Sequence, residues 1–213
     1  MATEAPSAHL AHHFPDLQTQ EHAARLGMWL FLATEILLFT VLFTAYAVYR
    51  YLFPGAFDEA SKLAHVSMGA TNTVVLITSS LTVALGIHYA RQGDKRKTVG
   101  LLAVTIAFGA VFMVLKGFEY HHHWVDGQLP GKFYHFTGLT GPGVSMYFTI
   151  YFLMTGLHGL HVLIGMGVLA WIALRAARGE FSREYSTPVE LGGLYWHLVD
   201  LIWIFLFPLL YLV

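Results

Sequence analysis

Residues 26–53 read LGMWLFLATEILLFTVLFTAYAVYRYLF, and only Glu35 and Arg50 within them carry charge. As a helix this stretch would be about 40 Å long at 1.5 Å per residue. A hydrocarbon core is about 30 Å thick. No polar face recurs along the run to meet water on one side. Four more apolar runs follow: Val66–Ala90, Thr98–Phe118, Val144–Arg175 and Leu191–Val213. Each reaches or exceeds the ~20 residues that a spanning helix needs. The expected fold is an all-α polytopic membrane protein, a bundle of five transmembrane helices at about 26–53, 66–90, 98–118, 144–175 and 191–213. Residues 1–24 are expected as an N-terminal cytoplasmic segment, and 25–213 as the membrane domain.

Composition agrees with that reading. Hydrophobic residues make up 56% of the chain and charged residues 12%, half the ~25% of a soluble domain. A water-soluble fold and a disordered chain are both excluded. The balance of 12 Lys and Arg against 13 Asp and Glu leaves no basic footprint for nucleic acid. With no Cys there is no disulfide, thiolate metal site or thiol nucleophile. Any metal or haem would have to use the 13 His. Residues 1–21 lack the basic and apolar regions of a cleavable signal peptide.

The connections Ala56–His65, Arg91–Lys97 and Arg178–Pro188 are polar, and the longest loop is expected over Tyr120–Gly143. With the N-terminus inside, the inner side receives eight Lys and Arg, led by the Arg91–Lys97 cluster. The outer side receives four: Arg50, Lys62, Lys116 and Lys132. The positive-inside bias therefore places the N-terminus in the cytoplasm and the C-terminus in the periplasm.

Ionisable groups inside the membrane cost about 2.5–3.5 kcal/mol each on insertion scales. Glu35 lies ten residues past Arg25, about 15 Å deep and near the midplane. Asp200 is equally far past Glu190. Asn72, Ser79, Thr82 and Gly86 share one face of the second helix, as do His158, His161 and Gly165 on the fourth and Gly193, His197 and Asp200 on the fifth. Such stripes are packing seams that let membrane helices approach and hydrogen-bond. A midplane carboxylate either finds a partner or is protonated. For Glu35 the His at matching depth are His158 and His161. His158 and His161 also share a face at i and i+3, so one metal, or a haem, could use them. His121–His123 suggests metal too, but it falls in the long outer loop and reads rather as a solvated surface tract. Lys116 and Glu119, three apart at the outer end of the third helix, read as a solvated interface pair of little energetic weight.

Five strings resemble haem–copper oxidase subunit III, in order and on successive helices. They are Gly27–Phe39 around Glu35, Asn72-Thr73 with Ser79-Ser80, Phe118-Glu119-Tyr120, Thr155–Val162 around His158 and His161, and Tyr195–Trp203 around His197 and Asp200. The resemblance runs from about residue 22 to the C-terminus. It implies a non-catalytic subunit of the cytochrome c oxidase type in a bacterial inner membrane and its aerobic respiratory chain. Such a subunit sits against subunit I, beside other oxidase subunits. It preserves the oxygen-reducing centre, supports proton uptake and holds phospholipid. No haem, copper or other cofactor is expected in this chain, since haem and copper belong to the partner subunits. Glu35 matches the family's carbodiimide-reactive buried glutamate. Asn72, His158, His161, His197 and Asp200 match its intramembrane polar set. Many members have two further helices ahead of the glutamate-bearing one, so another subunit would supply that wall of the lipid cleft. The alternatives are a quinol oxidase subunit III, an accessory homologue for nitric oxide reduction, and, more distantly, a stand-alone haem b protein or proton-coupled carrier.

Overall fold

The computed structural model of the protein describes residues 10–139, 141 and 143–212. Residues 1–9 of the expected N-terminal segment and the last residue of the final run, Val213, lie outside the described residues. The described chain is helical: α1 (Leu17–Leu52), α2 (Pro54–Ser61), α3 (Val66–Arg91), α4 (Lys95–Val125), α5 (Val144–Arg178) and α6 (Thr187–Tyr211), with one 3-10 turn at Gly131–Phe133. The five expected runs are the five long helices, each apolar enough to cross a membrane.

The helices outrun the apolar stretches because capping, not hydropathy, decides where they begin and end. α1 starts at Leu17 because Asp16 caps it, its carboxylate accepting from the Thr19 amide at 2.7 Å. Asp94 does the same for α4 through the Lys97 amide at 3.1 Å. Each cap holds its carboxyl below the usual range, chiefly through that backbone hydrogen bond. α5 ends at Gly179, whose φ of 80° suits a residue without a Cβ. Two expected connections need correction. Ala56–His65 is not all loop, because α2 occupies its first half, started by Pro54 in the first turn. The long outer loop begins only after Val125, so His121–His123 are helical.

α3, α4, α5 and α6 close a four-helix ring, in which α3 and α4 pack most extensively. α1 lies outside that ring, against α5 and α6. Its buried residues are Leu32, Phe39 and Tyr46, seven apart and so on one stripe. Over half of the apolar window of α6 is buried, 56%, against 11% for α1. The ring closes tightly around Trp196, which is fully buried. A Cβ at Gly109 would lie 2.8 Å from its indole, and one at Gly165 would lie 3.0 Å away. α4 and α5 approach α6 this closely only because neither position has a side chain.

Candidate functional site

Glu35 and His161 meet between α1 and α5. His161 Nε2 lies 2.8 Å from Glu35 Oε2, and His161 Nδ1 lies 2.8 Å from the Leu157 carbonyl oxygen. A carbonyl only accepts, so Nδ1 carries a hydrogen. The contact at Nε2 then needs one more proton, on the imidazole or on the carboxyl. Either way the pair is neutral overall and shares a single proton. Phe39 packs edge-on to the imidazole, with ring centres 5.3 Å apart, and the two side chains keep only 15% and 10% of their surface exposed. Of the two His at matching depth, His161 is the partner.

His158 is turned elsewhere. It is fully buried inside the four-helix ring, between Phe112 and Trp203, and neither ring nitrogen has a hydrogen-bond partner among the described residues. One turn of α5 therefore sends its two His to different neighbours, and they do not converge on one point. Among the described residues no group of three His, Cys, Asp or Glu could hold a metal ion. Asn72 and Asp200 are likewise buried, and among the described residues their side chains have no hydrogen-bond partner. Around them α6 is stitched to α3. His197 Nδ1 meets the Ser80 hydroxyl at 2.6 Å, Trp196 donates to Ser79 at 2.9 Å and Trp203 donates to Thr73 at 3.0 Å. Ser79, Thr82 and Gly86 lie in the seam between α3 and its neighbours, with Thr82 bonded to Thr105 of α4 at 2.8 Å.

The largest departure from the expected site is at Lys116 and Glu119. They are not a solvated pair: 5% of Lys116 and none of Glu119 is exposed. The ammonium donates to Glu119 at 2.9 Å, to Tyr211 at 2.7 Å and to Tyr151 at 3.1 Å. All three of its hydrogens are used. The two tyrosine hydroxyls in turn donate to the other Glu119 oxygen, at 2.7 Å from Tyr151 and 2.6 Å from Tyr211. Rings of Tyr120, Tyr151, Trp203 and Tyr211 surround the ammonium at 5.1–5.5 Å. Nearby, Tyr147 and Tyr46 donate to the carbonyls of Leu210 and Leu209, which the end of α6 would otherwise leave unpaired. His123, expected in a surface tract, is 2% exposed; its Nδ1 meets the Gln128 side-chain oxygen and its ring packs on Tyr151.

A second group that the spacing did not reveal closes the other end. Glu190 of α6 pairs with Arg91 of α3 at 2.9 Å and Arg25 of α1 at 3.4 Å, and accepts from Ser186 at 3.1 Å. The Arg25 pairing is one of the ties that hold α1 to the ring.

Glu35, Asn72, Ser79, Glu119, His158, His161, His197 and Asp200 lie on the strings that resemble one family. Residues 7–213 match the model of cytochrome c oxidase subunit III. The chain belongs to that family. A relative, cytochrome c oxidase subunit 3 of Synechocystis, is 32% identical over 206 residues, covering 96% of this chain and 79% of its own length. The subunit of the same name from Oncorhynchus mykiss is 33% identical, covering 94% of this chain and 72% of its own. Cytochrome bo(3) ubiquinol oxidase subunit 3 of Pseudomonas putida is 31% identical, covering 88% and 84%. This subunit III is thus a multi-pass membrane protein of the haem–copper oxidase complexes.

Proposed function

We propose that this chain is the non-catalytic subunit III of a bacterial respiratory oxidase, packing directly against subunit I and preserving its oxygen-reducing centre. Haem and copper then reside in the partner subunits. The family match over residues 7–213 carries this reading. The N-terminus is assigned to the cytoplasm and the C-terminus to the periplasm, on the excess of Lys and Arg at one end of the bundle. The Glu35–His161 pair, holding one proton midway across the membrane, is assigned a part in supporting proton uptake. Asn72, His158, His197 and Asp200 are assigned to holding the ring together. Bound phospholipid is supported by a cavity of about 370 Å³ between α1, α5 and α6, walled by Phe31, Ile164 and Trp171 with Arg175 among its lining residues. The relative that serves a ubiquinol oxidase favours a second reading, in which the complex takes its electrons from a quinol.

Removing the chain from the purified complex tests the proposal. The stripped oxidase should keep its haem spectrum and its initial oxygen reduction, and should then lose activity faster during turnover. Loss of haem or copper in proportion to the chain would overturn it. For orientation, Cys at exposed Asp126 should react with an impermeant thiol reagent in intact spheroplasts, and Cys at exposed Lys97 only after lysis.

A further inference from the structure

Two exposed imidazoles meet at the end of the bundle that carries Lys116 and Glu119. His65 immediately precedes α3, and its side chain makes no capping hydrogen bond. His122 lies in the last turn of α4. Their ring centres are 5.3 Å apart and their planes are inclined at 58°. Both residues are exposed. A zinc ion binds imidazole nitrogens at about 2.0–2.1 Å in a tetrahedral arrangement, which sets the centres of two such rings roughly 5 Å apart. His65 and His122 already stand at that separation. Behind them, the buried His123 has an Nε2 without a hydrogen-bond partner among the described residues, and its ring centre is 6.5 Å from that of His65.

We propose that His65 and His122 form a two-imidazole site for a transition-metal dication such as zinc, with water completing the coordination. Imidazole is the ligand that Zn²⁺, Cu²⁺ and Ni²⁺ favour. The bound ion would tie the start of α3 to the end of α4, at the end of this helix pair away from its connecting turn. His121 is outside the site: successive helical residues do not face one another, and its ring stands 6.4 Å from that of His122, edge to face. The ion would sit beside His123, whose ring packs 5.1 Å from Tyr151 and so adjoins the Lys116–Glu119 network.

The test uses the oxidase complex purified through this chain, stripped with a chelator and dialysed. It is treated with diethylpyrocarbonate with and without zinc chloride, and the modification of each His is read by peptide mass spectrometry. With zinc about tenfold above its Kd, mass action predicts roughly tenfold slower modification at His65 and His122. His121 should be unaffected. His65→Ala, at an exposed position, should abolish the protection of His122, and His65→Gln should act alike. The proposal is overturned by absence of protection, by equal protection of His121 and His122, or by protection of His122 that survives His65→Ala. None of these readouts depends on oxidase activity, so the site fails or stands apart from the function assigned to the complex.

Discussion

Glu119 and Glu35 are both carboxylates within membrane helices, but Glu119 accepts from Lys116, Tyr151 and Tyr211 while Glu35 faces His161. The surroundings differ as much as the partners. Glu119 sits inside the four-helix ring with none of its surface exposed, and Glu35 lies between the ring and the loosely seated α1 with 15% of its side chain exposed. A full charge can be kept in a low-dielectric interior only when its counter-charge is adjacent and every remaining donor and acceptor is used. Lys116, Glu119 and the two tyrosines meet that condition and form a closed set. The Glu35–His161 pair is neutral overall, with one proton between the two groups. The first arrangement fastens α4, α5 and α6 together. The second joins α1 to α5.

Removing one charge from the closed set should have the largest effect. Lys116→Met leaves Glu119 buried beside two hydroxyls, and should destabilise the chain by about 3–5 kcal/mol. Thermal release of this subunit from the complex should shift down accordingly. Lys116→Met with Glu119→Leu should recover much of that loss, because the Tyr151 and Tyr211 hydroxyls, 3.1 Å apart, can then bond to each other. A double variant no more stable than Lys116→Met would refute the closed-set account.

A smaller effect is expected at the shared proton. Glu35→Leu strands His161 Nε2, at a cost of about 1–3 kcal/mol, and should weaken assembly. Glu35→Gln can donate its amide hydrogen to Nε2, so the complex should assemble but lose modification by a hydrophobic carbodiimide. If Glu35→Gln abolished oxygen reduction in an assembled, haem-replete complex, the residue would be an obligatory part of the chemistry, against the role assigned here.

The smallest effect concerns the caps. The Asp94 carboxyl is held below its ordinary value by the Lys97 amide, its largest cause, and then by the Lys97 side chain. A lowered folded-state pKa contributes stability above the unfolded value, and that contribution is lost as pH falls through the folded one. Protection of the first-turn amides of α4 against exchange, taken relative to their intrinsic rates at each pH, should therefore fall as pH drops through the carboxylate range. In Asp94→Asn, which keeps a capping oxygen without a titrating group, that dependence should disappear. Equal pH dependence in both proteins would show that the cap is not its source.

The order of amino acids alone dictates the five long helices, because five apolar runs of spanning length with few charges have no other stable arrangement in a bilayer. It also marked Glu35 by depth, and the His on the fourth long helix as its possible partners. Helix packing chooses between His158 and His161, because two positions three apart on a helix differ by about 60° in bearing, and which of them meets α1 depends on where α1 leans. It also decided the fate of Lys116 and Glu119. At the end of an apolar run a Lys reads as a side chain reaching for water. Its burial depends on Tyr151 and Tyr211, which lie 35 and 95 residues away and converge only when α5 and α6 pack against α4. The same limit hid the Glu190 clasp, whose partners come from α1 and α3. Local spacing reports what one helix can present, and a buried charge is tolerated only by what other helices bring to it.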